Sequence, residues 1–285
     1  MSTPPRRPDP RHSSDRRAGV TELLTARSGR IKAARRLADR RVRRELGLFL
    51  VEGPQLVAEA YAVPDAVVEV YATPEAAERY ADLRDGSPVA WQLSDDRGVA
   101  SLADTVTPTG VVAVCRAASV LAPLESAVTP GTRLVVVCAD VRDPGNAGTV
   151  IRTADAAGAD AVVLAGHSVD PLNPKTVRAT VGSLFHLPVV VADDVAGAVT
   201  ALQAGGVTVL AADGGGEVDL FDADGLLGGR TAWLFGNEAW GLPADTAAMA
   251  DHRVRVPIFG GAESLNLSTA AAVCLYASAR AQRGS

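Results

Sequence analysis

The chain has 285 residues, of which 47% are hydrophobic and 21% charged, so it can bury a core and is not a wholly disordered protein. Residues 1–46 hold 14 basic and 5 acidic residues, a net charge of +9, whereas the remainder carries −14. This division predicts a polyanionic partner for one part of the chain only. No apolar run reaches the roughly 18 residues of a membrane helix, and no secretory signal begins the chain, so we expect a cytoplasmic protein without a membrane partner.

The cysteines and histidines give no sign of a metal centre. Cys115, Cys138 and Cys274 lie in apolar runs and form no CxxC pair. We therefore expect them to be small buried hydrophobic residues. The histidines show no metal-ligand spacing, so the sequence predicts no metal site.

The first half of the chain is predicted to form a tail and a small α/β domain. Residues 1–20 are rich in proline, arginine and serine, which is typical of a disordered basic tail. Residues 21–117 alternate between helical and extended patterns, beginning with a basic amphipathic helix. The expected helices are 31–50, 55–62 and 74–84, and the expected strands are 48–53, 66–72, 88–94 and 110–115.

The second half predicts a parallel sheet covered on both faces. Residues 118–130 contain prolines and small residues and are interpreted as a linker to a domain over 131–285. Near-continuous apolar runs then alternate with helical patterns, which is typical of buried parallel strands. The expected strands are 134–139, 161–164, 188–192, 207–212, 231–236 and 253–257, and the expected helices are 147–158, 174–185, 194–204, 243–250 and 266–281.

A turn at 143–146 follows the first strand of this sheet and leads into a helix. Ligands of open α/β sheets bind beyond the carboxyl ends of strands, and a helix N-terminus offers free N–H groups to an anion. The glycine spacing here is GxxG, so the GxGxxG dinucleotide fingerprint is not met. These residues alone also fit a plain turn followed by a surface arginine, Arg152.

Two further segments near the C-terminus carry candidate site residues. A hydrophobic strand runs into Gly236 and Glu238, where glycine permits close backbone approach and the carboxylate could bind a ligand or stand in the first turn of a helix. Before the last helix, Ser264, Asn266 and Ser268 are each candidates for its N-cap.

Taken together, the three segments resemble, in order and spacing, the three motifs of the SpoU (TrmH-type) RNA 2′-O-ribose methyltransferases of the SPOUT superfamily. The resemblance covers 131–285. The residues that carry it are Asn146, Gly148, Arg152, Phe235, Gly236, Asn237, Glu238, Gly241, Pro257, Ser264, Leu265 and Asn266. The first half resembles the family's appended ribosomal-protein-like substrate-binding domain, through the basic helix, 49–53 and 107–114.

This resemblance implies a SPOUT parallel sheet with a trefoil knot near its C-terminus, a homodimer and a pocket for S-adenosyl-L-methionine. It implies catalytic roles for Arg152, Asn146, Glu238, Ser264 and Asn266. It implies cofactor contacts for Gly236, Asn237, Gly241, Val256, Ile258 and Leu265. Arg152 matches the arginine proposed to activate the ribose hydroxyl. Because a guanidinium normally stays protonated, an electrostatic role is equally open.

RNA is the expected partner, and the appended domain favours ribosomal RNA. The residues expected to contact phosphate are Arg30, Lys32, Arg35, Arg36, Arg40, Arg41, Arg43 and Arg44. The alternative is a solvated helix face. In the acidic second half, Arg142, Arg152 and Arg178 are expected to form a local basic path for the RNA.

Other functions stay open at this point. Within the family, the chain could modify transfer RNA or act as a thiostrepton-type resistance methyltransferase. A nucleotide-dependent oxidoreductase on an ordinary Rossmann sheet is disfavoured by the missing glycine fingerprint. A non-enzymatic RNA-binding or ribosome-assembly factor is disfavoured by the matches at Asn146, Arg152, Glu238, Ser264 and Asn266.

Overall fold

Two sheets frame the chain in the computed structural model, which describes residues 23–283; the predicted tail at 1–20 lies outside the described residues. The smaller sheet has the order β1-β4-β2-β3, and the larger has the order β10-β12-β9-β11-β6-β7-β8-β5. The strands are β1 Leu48–Glu52, β2 Val67–Ala72, β3 Trp91–Leu93, β4 Val111–Arg116, β5 Leu121–Ala122, β6 Leu134–Ala139, β7 Ala161–Ala165, β8 Val189–Ala192, β9 Thr208–Ala212, β10 Val218–Asp219, β11 Thr231–Phe235 and β12 His252–Arg255.

Helices connect these strands. The α-helices are α1 Gly29–Arg35, α2 Arg40–Leu46, α3 Pro54–Tyr61, α4 Pro74–Arg79, α5 Ala81–Asp85, α6 Asp96–Ala100, α7 Pro144–Ala157, α8 Pro174–Thr180, α9 Val195–Ala204, α10 Asp224–Leu227, α11 Ala244–Ala247 and α12 Leu267–Arg283. The short 3-10 helices are Arg36–Ala38, Ala117–Ser119, Leu124–Ala127, Ser183–Phe185 and Leu220–Asp222.

The predicted parallel sheet of the second half is confirmed. Each pairing in the larger sheet is parallel. Every residue of β6 is buried, and its alternate side chains enter two different cores because successive side chains of a strand point to opposite faces. Val136 joins the core covered by α7 and α12, whereas Val135 joins the core covered by α9. Helices therefore cover both faces of the sheet.

The prediction of a single helix over 31–50 is wrong, because the helix is interrupted at Asp39. That residue is extended, with φ −83° and ψ 127°, and its carboxylate accepts a hydrogen bond from the backbone N–H of Arg41 at 2.7 Å. Aspartate competes for backbone groups in this way and begins a new helix, α2. Gly47, at φ 63°, then ends α2 and turns the chain into β1.

Three other segments differ from their predictions. The helix expected at 74–84 is split at Tyr80, which leaves the helical region at φ −110° and ψ 42°. The helix expected at 174–185 ends at Val181, which adopts the left-handed φ of 53°. The predicted linker over 118–130 is part of the larger sheet, since its β5 pairs with β8 and its Ala127 is buried in the core beneath α9.

The two halves share a core and a set of ion pairs. Phe49 of the smaller sheet stacks on Phe185 of the second half, with ring centroids 6.3 Å apart. Arg178 of α8 reaches back to Asp104 at 2.7 Å and to Glu52 at 3.6 Å. Contacts of both kinds fix the small domain on the large one.

His186 adds a titratable contact to the same boundary. Its Nδ1 lies 2.7 Å from Asp155 and its Nε2 lies 3.2 Å from Glu59 of the small domain. The hydrogen bond to Asp155, followed by that to Glu59, raises the pKa of His186. Protonation of His186 therefore stabilises the contact between the two halves of the chain.

The expected burial of the cysteines is confirmed. Cys115, Cys138 and Cys274 are free and buried, and burial raises the pKa of Cys115 and Cys138 to about 12. Within residues 23–283, no cluster of three or more histidine, cysteine or acidic side chains is arranged to hold a metal ion. No helix in that range is both long and apolar enough to cross a membrane.

Candidate functional site

A cavity of ≈ 400 Å³ opens at the carboxyl ends of the neighbouring strands β12, β9 and β11. This is where open parallel sheets bind ligands, and the volume is in the range of small-molecule sites. All six residues predicted to contact the cofactor line it, namely Gly236, Asn237, Gly241, Val256, Ile258 and Leu265. Glu238 and Ser264 line it as well.

The loop after β11 forms one wall of the cavity and is tightly closed. Asn237 and Gly241 exchange backbone hydrogen bonds of 3.0 and 2.9 Å. The side-chain amide of Asn237 is buried and donates to the carbonyl of Asp140 at 2.7 Å. A Cβ on Gly236 would lie 2.3 Å from the carbonyl carbon of Gly241, so only glycine fits the closed loop.

A chain of hydrogen bonds joins the three sequence motifs beside this cavity. Glu238 accepts from the backbone N–H groups of Arg142 at 3.3 Å and Asp143 at 3.1 Å. The amide of Asn146 donates to Glu238 at 3.4 Å, and the amide of Asn266 donates to Asn146 at 3.2 Å. Side chains far apart in sequence therefore position the turn after β6 against the cavity.

The start of α7 differs from the prediction of free N–H groups for an anion. The helix begins at Pro144, and the carboxylate of Asp143 accepts from the backbone N–H of Asn146 at 2.8 Å. The N–H groups just before the helix are bound by Glu238. Because carboxylates of the chain itself satisfy these donors, the helix start is a structural cap.

Among the predicted N-cap candidates for the last helix, Asn266 takes that role. Its side-chain oxygen accepts from the backbone N–H of Ser268 at 2.9 Å and from the hydroxyl of Ser268 at 2.6 Å. Ser264 is exposed at the cavity and forms no hydrogen bond with any residue in the described range. Its hydroxyl is accessible to a ligand.

Arg152 is absent from the cavity lining of its own chain. It is exposed on α7, six residues and about 9 Å along the helix axis from Asn146. Its guanidinium forms no ion pair or hydrogen bond with any residue in the range 23–283. The predicted basic path with Arg142 and Arg178 is wrong for Arg178, whose guanidinium is held by Glu52 and Asp104.

Seven of the eight predicted RNA-binding residues are exposed, and Arg43 is the exception. Arg43 is 2% exposed, and its guanidinium pairs with Asp170 of the second half at 2.6 Å. The same guanidinium donates to the carbonyls of Leu37 and Ala38, each at 2.8 Å. The RNA prediction is wrong for Arg43, because its side chain is buried and each of its three guanidinium nitrogens donates a hydrogen bond within the fold.

The sequence reasoning missed several residues that line the cavity. Trp240 is one of them and is 53% exposed, and the Cζ atom of Arg142 lies 5.1 Å from its ring centroid. The acidic side chains of Asp213 and Glu263 also line it. A large aromatic residue between Glu238 and Gly241, outside any apolar run, was the available signal for Trp240.

The sequence and fold match known proteins over nearly the whole chain. Residues 133–276 match the SpoU rRNA Methylase family, and residues 29–113 match the MRM3-like substrate binding domain. A Bacillus subtilis protein named 23S rRNA (guanosine(2553)-2′-O)-methyltransferase RlmP is 35% identical over 260 residues, which are 90% of this chain and 98% of that protein.

Solved structures agree with the sequence matches. The SpoU methyltransferase AviRb from Streptomyces viridochromogenes, in complex with the cofactor AdoMet, has a TM-score of 0.79 and 31% identity, covering 91% of this chain and 99% of that chain. An AdoMet-bound rRNA methyltransferase from Sinorhizobium meliloti has a TM-score of 0.77 and 30% identity, covering 90% of this chain and 97% of that chain.

Proposed function

We propose a reaction and a substrate for this chain, which belongs to the SpoU rRNA methylase family. It is an S-adenosyl-L-methionine-dependent methyltransferase that methylates a ribose 2′-hydroxyl in ribosomal RNA, and the name of its Bacillus subtilis relative favours 23S rRNA. The observation that carries this proposal is the cavity at the strand ends, which is lined by all six residues that the motifs assign to the cofactor.

The cavity fits S-adenosyl-L-methionine in size and in chemistry. Val256, Ile258 and Leu265 provide apolar walls suited to an adenine ring. Asp213 and Glu263 provide carboxylates that suit ribose hydroxyls and a positively charged ligand. When bound, the cofactor supplies an electrophilic methyl group.

The residues of the chain would serve mainly to position the acceptor. Methyl transfer requires the attacking oxygen, the carbon and the departing sulfur to lie in line, and such positioning can supply much of a rate enhancement. Glu238 and Asn146 are positioning residues, because they fix the turn after β6 against the cavity. Ser264, whose hydroxyl lines the cavity, is proposed to contact the acceptor nucleotide.

Arg152 is proposed to act as a cation beside the developing alkoxide or the adjacent phosphate. A guanidinium presents five N–H donors and stays protonated, so stabilising negative charge suits it better than accepting a proton. Its absence from the cavity lining of its own chain supports a site made by two copies. In such a homodimer, α7 of one copy would bring Arg152 to the cavity of the other.

The homodimer is testable by mixing two impaired variants. Arg152→Ala and Gly236→Ala damage different parts of the site, so a mixed dimer holds one site with both residues intact. At a cofactor concentration well below the Kd of Gly236→Ala, we expect the co-expressed variants to show more methyl transfer than either shows alone. Recovery would fail if each site were complete within one chain. A trefoil knot around the cavity and a cytoplasmic location belong to the same proposal.

The small domain is proposed to hold the RNA. Seven exposed basic residues lie on its N-terminal segment, on and between α1 and α2. Arg43 and Arg178 fix this domain to the other half through buried or partly buried ion pairs. RNA bound through phosphate contacts would therefore be held at a fixed distance from the cavity.

Mapping of ribose methylation tests the proposed function. Ribosomal and transfer RNA from cells with and without the gene would be compared for 2′-O-methyl groups, with a strain expressing Arg152→Ala as the control. Loss of one 23S rRNA methyl group, restored only by the unaltered gene, is expected. Loss of a methyl group from transfer RNA would instead identify transfer RNA as the substrate. No loss of methylation in any stable RNA would favour a non-enzymatic assembly factor.

A further inference from the structure

Trp240 and Arg142 form an exposed aromatic–cation pair at the mouth of the cavity. We propose that this pair is a stacking platform for the base of the nucleotide that receives the methyl group. This proposal rests on the proposed function and identifies the part of the substrate that the two side chains contact. Arg142 contacts Glu238 only through its backbone N–H, and Trp240 forms no hydrogen bond with Glu238, so both side chains can be altered without removing the hydrogen bonds that join the motifs.

The backbone at Trp240 is held in a closed loop, although the residue is half exposed. It stands in the loop closed by the paired backbone bonds of Asn237 and Gly241. The preceding residue, Ala239, donates its N–H to the side chain of Asn237 at 2.8 Å. A rigid loop therefore presents a large flat surface at the cavity, where 53% of the residue remains in contact with solvent. Such a surface binds a ligand with little loss of conformational entropy.

Arg142 adds charge and hydrogen-bond donors to that surface. Its guanidinium lies over the indole, with 5.1 Å between Cζ and the ring centroid. Its backbone N–H is fixed by Glu238, but the guanidinium forms no hydrogen bond or ion pair with the residues that the structure describes. Its donors are available to a base edge or a phosphate.

The chemistry of the acceptor identifies a base as the occupant. The 2′-oxygen and the base are attached to adjacent ribose carbons, so a 2′-oxygen held at the cavity brings its base to the rim. Proteins that read unpaired nucleotides stack the splayed bases on aromatic rings and arginine planes. Phe259, an exposed aromatic residue next to the cavity-lining Ile258, is already stacked on the exposed Phe221 at a centroid distance of 6.3 Å.

Kinetics of substituted full-length chains test this inference. The probes are an unmodified 23S rRNA transcript for methyl transfer and S-adenosyl-L-methionine alone for calorimetry. Trp240→Ala should raise the KM for rRNA about 10- to 100-fold, the range expected for one lost stack, and leave the cofactor Kd within about twofold. Trp240→Phe should recover most of this loss, Trp240→Leu should not, and Arg142→Ala should cost only a few-fold.

Three results would overturn the platform. If Trp240→Ala weakened cofactor binding and left the KM for rRNA unchanged, Trp240 would be a wall of the cofactor pocket. If leucine restored the KM as well as phenylalanine, simple apolar packing would explain the residue. If both the KM for rRNA and the cofactor Kd were unchanged, Trp240 would bind neither ligand.

A binding assay separates this inference from the proposed function. The binding of a single-stranded heptaadenylate RNA to the cofactor-saturated chain needs no methyl transfer. If the unaltered protein methylates no RNA, the proposed function fails. In that event, at least tenfold weaker heptaadenylate binding by Trp240→Ala would still support the platform, and unchanged binding would overturn it.

Discussion

The two halves of the molecule present different kinds of surface to a ligand. The N-terminal segment exposes seven separate cationic side chains on short helices, whereas the cavity of the second half is formed by a closed backbone loop, apolar side chains and the ends of three strands. Charges on separate side chains can be removed one by one with graded effects. A cavity formed by backbone contacts should lose most of its ligand affinity when a single contact is changed.

The largest expected effect concerns Arg152, which belongs to neither kind of surface within one chain. Arg152→Ala should lower kcat by about 100- to 1,000-fold, as loss of a charge-stabilising donor does, and leave cofactor binding unchanged. Methyl-transfer kinetics and calorimetry measure the two properties. Arg79→Ala, an exposed arginine paired with Glu75 in the small domain, is the control. Equal loss of transfer and cofactor binding would contradict the assigned role.

The next effect tests the integrity of the cavity. Gly236→Ala places a Cβ 2.3 Å from the backbone of Gly241, and the loop must open to relieve the overlap. Cofactor affinity should fall by roughly 10- to 100-fold, in line with the cost of overpacking. Gly225→Ala is the matched control, since a Cβ there meets no atom within 4 Å. Normal cofactor affinity in Gly236→Ala would show that the loop is not part of the pocket.

Two neighbouring arginines, Arg43 and Arg44, distinguish a buried structural contact from an exposed surface charge. Arg43→Ala leaves Asp170 without its buried partner and should destabilise the protein by about 3 to 5 kcal/mol. Arg44→Ala removes an exposed charge and should leave the free energy of unfolding nearly unchanged. Denaturant titration of both variants measures this difference. Similar stabilities would mean that Arg43 is not an anchor between the halves.

The exposed cations should act additively on RNA affinity. Changing Arg40, Arg41 and Arg44 together to alanine should weaken 23S rRNA binding and lower the slope of log affinity against log salt by about 0.7 to 0.9 per lost contact. Filter binding over a range of salt concentrations gives the slope, and cofactor affinity should not change. An unaltered slope would show that these residues form only a solvated helix face.

The smallest effect is a pH dependence at the boundary between the halves. Because its partners raise the pKa of His186, its stabilising contribution is complete below the unfolded pKa near 6.5 and is lost as the pH rises through the folded value. The ring is 42% exposed, so solvent weakens the contribution. Thermal unfolding between about pH 6 and 9 should show a smaller pH dependence for His186→Gln than for the unaltered chain. Identical profiles would exclude this contact.

The regular parts of the fold were predictable, and the exceptions depend on single side chains or on tertiary pairing. Buried parallel strands such as β6 and β11 are uninterrupted apolar runs, so their positions follow from hydropathy. The break at Asp39 depends on a single side-chain cap that competes with helix formation. The very short β5 and β10 depend on tertiary pairing and leave no periodic signal.

The candidate site was predictable where the motifs are glycine, asparagine and glutamate at fixed spacing. Those residues meet at the cavity because the strand ends bring them together. The burial of Arg43 contradicts what its residue type suggests, because its partner, Asp170, is distant in sequence. The exposure of Trp240 is unusual for its residue type, and its contact with Arg142 joins two segments that are far apart in sequence.

Every other expectation for the site depends on one claim about its chemistry, that the chain methylates ribose 2′-hydroxyl groups. The most direct measurement incubates the purified chain with 23S rRNA transcript and radiolabelled S-adenosyl-L-methionine, followed by alkaline hydrolysis of the RNA. A 2′-O-methyl group prevents cleavage of the adjacent phosphodiester, because that cleavage uses the free 2′-oxygen. We predict that the label is recovered in an alkali-resistant dinucleotide. Label in mononucleotides, which would indicate a methylated base, or no label at all would contradict the claim.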